Sequence, residues 1–127
     1  MNTSELIARL KKSGADTDAA LRRCMNDDEL YCSCVRTFCG DKNFALLDKA
    51  LAEGRLDEAF AAVHTIKGVA ANLGLTDLYS SAYTLTETLR VHSTQGLEQQ
   101  HAELTRQYYV LLETVGAGDG DSKGGDR

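Results

Sequence analysis

The stretch "RLDEAFAAVHTIKGVAANLG", residues 55–74, decides the fold. Its aliphatic residues recur every three or four positions, and Asn72 and Gly74 supply a stop signal, so it reads as one helix. On a helical wheel with Phe60 at 0°, Leu56, Ala59, Val63, Ile66, Ala70 and Leu73 fall between about 220° and 320°, the arc of a buried stripe. His64 falls near 40°, roughly 130° from the middle of that arc, with Ala71, Gly68 and Ala61 around it. The imidazole is therefore expected on an exposed shoulder among side chains too short to cover it. Gly68 is the oddity, because a glycine inside a helix costs about 1 kcal/mol relative to alanine.

Working outward, the same period continues on both sides. "DTDAALRRCM" begins at Asp16 or Thr17 as N-cap, and "NDDELYCSCVRTFCG" at Asn26 or Asp27. "GDKNFALLDKALAEG" carries Phe44, Leu47, Ala50 and Leu51 to Gly54, and Gly40 with Asp41 marks either a break or a kink before it. After Gly74, Thr76 is the candidate N-cap of a helix striped with Leu78, Tyr79, Ala82, Leu85 and Leu89. The last helix follows Gly96 and turns Leu97, Leu104, Tyr108, Leu111 and Leu112 inward. A further short helix is expected over roughly Ser4–Lys12. Helices joined by short loops predict an all-α, up-and-down antiparallel four-helix bundle with additional short N-terminal helices, one of them capping an end. The domain is expected to span residues 1–115. Residues 116–127, rich in Gly and Asp and without apolar period, are expected to be a disordered tail.

Bulk properties narrow the function. A net charge of −5 without a basic run argues against nucleic acid, and the amphipathic stretches lack the Lys/Arg face of a membrane-surface helix. No apolar run approaches the roughly 18 residues of a membrane span. The first residues show no secretory h-region, which leads to a cytoplasmic reading. Cys24, Cys32, Cys34 and Cys39 crowd one third of the chain, yet no C-x-x-C pair exists. They read as small buried hydrophobes or exposed thiols, with a metal- or redox-sensing bundle as the alternative function.

The chemistry rests on His64. A neutral imidazole is a good nucleophile near neutral pH, and Lys67, at about 340° on the wheel, lies one turn away with a flexible stem. An added phosphoryl group would find its charge offset by that ammonium. An exposed helical histidine is also, more often than not, a solvated residue, and Gly68 could serve close helix packing instead. The wheel leaves both readings open. His92 and His101 read as solvated, and Tyr79 and Tyr83 as core or shoulder packing.

The string "HTIKGVAANLGL" (64–75) resembles the His-x-x-Lys-Gly signature, closed by a second glycine, of histidine-containing phosphotransfer (HPt) domains. The resemblance extends from about Asp16 to Val115 and includes the turn formed by Ala50, Leu51 and Gly54. It implies a four-helix bundle that carries phosphoryl groups between receiver-domain aspartates and is not a turnover enzyme. His64 would be the acceptor, through Nε2, with Lys67 as charge partner and Gly68 as clearance for the docking receiver. Gly74 would close the acceptor helix. Phe60, Ala61 and Ala71 are the expected docking patch. The implied partners are receiver domains of response regulators and of hybrid sensor histidine kinases. No cofactor is expected on this chain, Mg²⁺ belonging to the receiver, and a monomer is expected. Where the chemotaxis-kinase branch has a glutamate that activates the histidine, this chain has Thr86, with Glu87 beside it on another face. That departure favours a phosphoaspartate over ATP as the donor. A docking-only relative that transfers nothing is the remaining alternative.

Overall fold

A computed structural model describes residues 1–119, with side chains through Gly116. The helices are α1 (Thr3–Lys12), α2 (Thr17–Arg23), α3 (Asp28–Cys39), α4 (Lys42–Ala52), α5 (Leu56–Asn72), α6 (Thr76–Arg90) and α7 (Leu97–Asp119), and no strand occurs among the described residues. The fold is all-α. Residues 120–127 of the expected tail lie outside the described residues, and the boundary expected at residue 115 falls inside α7.

Local chemistry sets the starts. Asn2 and Glu5 form a reciprocal capping box at α1, while Asp16, Asp27 and Asp41 each accept a backbone N–H at the starts of α2, α3 and α4. Gly40–Asp41 is a break: Gly40 is the C-cap of α3, and the Asp41 carboxylate accepts from the N–H of Asn43 at 2.7 Å. Thr76 is not an N-cap. Leu75 holds that position without a side-chain bond, and the Thr76 hydroxyl turns back to donate to the Gly74 carbonyl at 3.2 Å.

Helices α4 to α7 form the bundle, each packed on the next across a short loop and therefore antiparallel to it. Two contacts close α7 onto α4: Tyr108 stacks on Phe44 at 3.8 Å between ring centroids, and His101 Nε2 meets the Asp48 carboxylate at 2.6 Å. Helix α3 lies against α1 and α7, and the Tyr108 hydroxyl donates to the Cys39 carbonyl at 2.6 Å, completing the end of α3. The buried face of α5 consists of Ala59, Ala62, Val63, Ile66 and Ala70. Ala62 joins the expected stripe because α5 packs on both α4 and α6, which widens its buried arc; Leu56, the first residue of the helix, is only half-buried.

The far end of α5 is tied down by side chains of α2 and α3. A helix leaves its last carbonyls unpaired. Here Arg23 of α2 donates to the carbonyls of Ala71 and Asn72, both at 2.9 Å, and the buried Tyr31 hydroxyl donates to that of Leu73 at 2.8 Å. Burial pushes the Tyr31 phenol up to about 12, so it stays a donor. Gly74 follows at φ 70°, and a Cβ there would lie 2.3 Å from the Asp16 carbonyl oxygen, which makes glycine obligatory where the α1–α2 link crosses. The expected cap over one end of the bundle is α2.

Candidate functional site

Helix α5 presents His64 to solvent midway along its length, two turns from that anchored end. Among the described residues the imidazole has no hydrogen-bond partner. Its ring stacks on the half-buried Phe60 one turn earlier, with centroids 5.5 Å apart and planes 16° from parallel. Stacking steadies the plane of the ring and leaves its nitrogen edges open. Ala61 and Ala71 are exposed on either side, as expected.

Gly68 is exposed, and a Cβ built on it would meet nothing within 4 Å. Close helix packing is therefore not why it is glycine. Its helical backbone needs no glycine either, since its φ is not positive. The residue gives up helix propensity for bare surface beside an imidazole.

Lys67 is half-buried, and its ammonium lies 5.7 Å over the ring of Tyr83 on α6. The cation thus rests on the α6 side of the histidine. Tyr83, expected to be core or shoulder packing, is 47% exposed and forms that side of the patch. About two turns along α6 from Tyr83, Arg90 places its guanidinium 5.2 Å over Phe60 while bonding Glu87 at 3.1 Å. Arg90 was not singled out by the sequence reading. The signal was available: Tyr83, Glu87 and Arg90 follow one another at four- and three-residue spacing, one face of α6. Two cations therefore flank the Phe60–His64 stack, each held on an aromatic ring.

Thr86 is fully buried, and its hydroxyl donates to the Ala82 carbonyl of its own helix at 2.6 Å. Nothing at that position can accept a proton from His64, and the neighbouring carboxylate of Glu87 is engaged with Arg90.

The other sequence candidates lie apart. His101 is not simply solvated; it is held by Asp48 in the α4–α7 seam. No two of the cysteines form a disulfide. Cys32 is buried with its thiol pushed up by that burial, and Cys24, Cys34 and Cys39 are half-buried. No group of three or more His, Cys, Asp or Glu side chains placed to hold a metal occurs among the described residues. No helix among them is long and apolar enough to cross a membrane.

Of the known families, the Hpt domain matches, over residues 40–114, which takes in α4, α5, α6 and most of α7. No curated protein and no solved structure matched the chain.

Proposed function

The chain belongs to the Hpt domain family, the phosphocarrier modules of two-component signalling, and on that premise we propose that His64 is its phosphoryl acceptor. The observation that carries this reading is the pairing of an unbonded, exposed imidazole with a helical glycine whose missing side chain serves no packing purpose.

The donor is a receiver-domain phosphoaspartate. Nε2 of the neutral ring attacks phosphorus in line, an N–P bond forms, and the acyl phosphate P–O bond breaks to release the aspartate carboxylate. The ring proton stays on Nδ1, so no base is required, which suits an imidazole with no hydrogen-bond partner among the described residues. Transfer to a second receiver is the reverse of these steps. Such transfers depend on approach and charge stabilisation more than on covalent machinery. Gly68 supplies the approach, and Lys67 leaves the Tyr83 ring for the transferring oxygens. The Phe60 stack holds the plane of the nucleophile.

This chain contributes no cofactor of its own; Mg²⁺ sits with the receiver. Its partners are receiver domains of response regulators and hybrid sensor kinases, met as a monomer in the cytoplasm. Phosphate flows from phosphoaspartate and not from ATP, a reading supported by the buried, self-bonded Thr86.

Labelled receiver domains test this. The expected result is label on the protein that is lost in acid, survives alkali and is absent from His64→Gln. No label from a broad panel of receivers, with helix content intact, would replace the reading with a docking-only module.

A further inference from the structure

An exposed imidazole that no hydrogen bond holds is free to turn about χ1 and χ2 within nanoseconds, and χ2 is the softer of the two. The attacking lone pair lies in the ring plane, and in-line displacement tolerates little rotation of that plane. Helical side chains lean toward the N-terminus of their helix, so the imidazole leans over the turn that carries Phe60. The side chain that would lean over His64 in the same way is the one that Gly68 lacks. The ring is backed toward Phe60 and open toward Gly68.

The backing is itself held from the neighbouring helix. Phe60 and His64 form an offset stack, with 5.5 Å between centroids and planes 16° apart. The Arg90 guanidinium of α6 lies 5.2 Å over the same Phe60 ring, and its Nε donates to the Glu87 carboxylate at 3.1 Å. The cation that seats Phe60 is thus fixed in turn. We propose that Phe60 is a positioning residue for phosphoryl transfer, seated by Arg90 and Glu87, so that the direction of the nucleophile is set from α6. The inference rests on His64 being the acceptor.

The residue type fits this role. Phe60 packs half-buried against the core, where an aliphatic side chain of similar bulk would serve as well. An aliphatic side chain offers the imidazole no flat face and the guanidinium no π-cloud; an aromatic ring meets both. Engaged by these two neighbours, the ring acts on the nucleophile whatever donor arrives. A residue that only docked a partner would matter only for a donor with a surface.

Phe60→Leu keeps the bulk and the helix but removes the flat face, and Phe60→Tyr restores it. Two donors read the result: a saturating receiver in single turnover, and phosphoramidate, a small donor that needs no docking. Both rates should fall about five-fold in Phe60→Leu, the scale of one lost stack, and recover in Phe60→Tyr. The receiver concentration at half-saturation should not change. In proton NMR, the ring-current shift on the His64 ring protons should vanish in Phe60→Leu and persist in Phe60→Tyr. Arg90→Lys keeps the charge and gives up the planar guanidinium; it should cost about two-fold alone and nothing further in the Phe60→Leu background. Unchanged rates in Phe60→Leu, or a loss confined to the receiver, overturn the proposal, and an additive loss in the double variant overturns the part given to Arg90. Label that persists in His64→Gln overturns the acceptor instead, so the two readings fail separately.

Discussion

Two histidines on two helices show what separates a carrier from a strut. His101 on α7 is 28% exposed in its side chain and spends Nε2 on the Asp48 carboxylate at 2.6 Å, tying α7 to α4. His64 on α5 is exposed, bonds to no neighbour among the described residues, and stacks on the Phe60 ring. His101 faces the neighbouring α4, whose Asp48 carboxylate meets it across the seam. Around His64 stand Ala61, Gly68 and Ala71, none with a side chain that could bond it, and the Lys67 ammonium rests on the Tyr83 ring instead. A nucleophilic nitrogen must be unoccupied, and here the emptiness comes from what the neighbours lack.

The same substitution at each histidine separates the two roles. His64→Gln should abolish acceptance from every receiver, whereas His101→Gln should retain near-normal transfer and cost about 1 kcal/mol of stability, the value of one part-exposed hydrogen bond. Parallel labelling and urea denaturation read the two quantities. Loss of labelling in His101→Gln at full helix content would put the carrier in the wrong place.

The two glycines that end and interrupt the acceptor helix form a second contrast. At Gly74 a Cβ would lie 2.3 Å from the Asp16 oxygen at φ 70°, while at Gly68 it would meet nothing. Gly74→Ala should therefore lower stability by roughly 2–4 kcal/mol, as expected for a clash added to an unfavourable φ. Gly68→Gln should leave the midpoint of unfolding close to its original value and cut receiver-driven transfer about a hundred-fold, an overfilled interface centre. Phosphoramidate labelling should persist in that variant. Receiver-driven transfer at the normal rate in Gly68→Gln would remove clearance as the reason for the glycine.

Much of this was legible in the chain. Helical period alone placed His64 on the open shoulder of α5, because a wheel needs only residues of the same helix. What escaped depends on residues far away. Whether Gly40–Asp41 breaks or bends the chain is decided in part by Tyr108, whose hydroxyl completes the end of α3 from 69 residues away. Lys67 could be assigned an angle but not a resting place, since the Tyr83 ring belongs to the neighbouring helix. His101 looked solvated because nothing local announces Asp48. Thr76, a good N-cap by type, lost that position because Gly74 and the crossing α1–α2 link redirect the backbone just before it.

Lys67 carries a smaller effect. Its cation–π contact with an exposed ring amounts to about 0.5–1 kcal/mol, so the ammonium can leave for a phosphoryl oxygen, a stronger partner. Lys67→Ala should slow transfer about ten-fold without stopping it, because Arg90 remains beside the stack. Single-turnover transfer from a saturating receiver measures this, and an unchanged rate would reduce Lys67 to a surface residue resting on Tyr83.

The smallest effect is the most discriminating, because stability and function should move in opposite directions. Gly68→Ala adds one methyl group into open space within a helix, so propensity alone should stabilise the protein by up to about 1 kcal/mol. The same methyl stands beside the nucleophile where a receiver must close, and transfer should fall about two- to five-fold, the cost of a slight misfit at an interface centre. A protein that becomes harder to unfold and slower to accept phosphate has exchanged clearance for helix propensity. Were Gly68→Ala both more stable and equally fast, the glycine would have no physical reason to be there, and the contrast between the two glycines of α5 would lose its functional half.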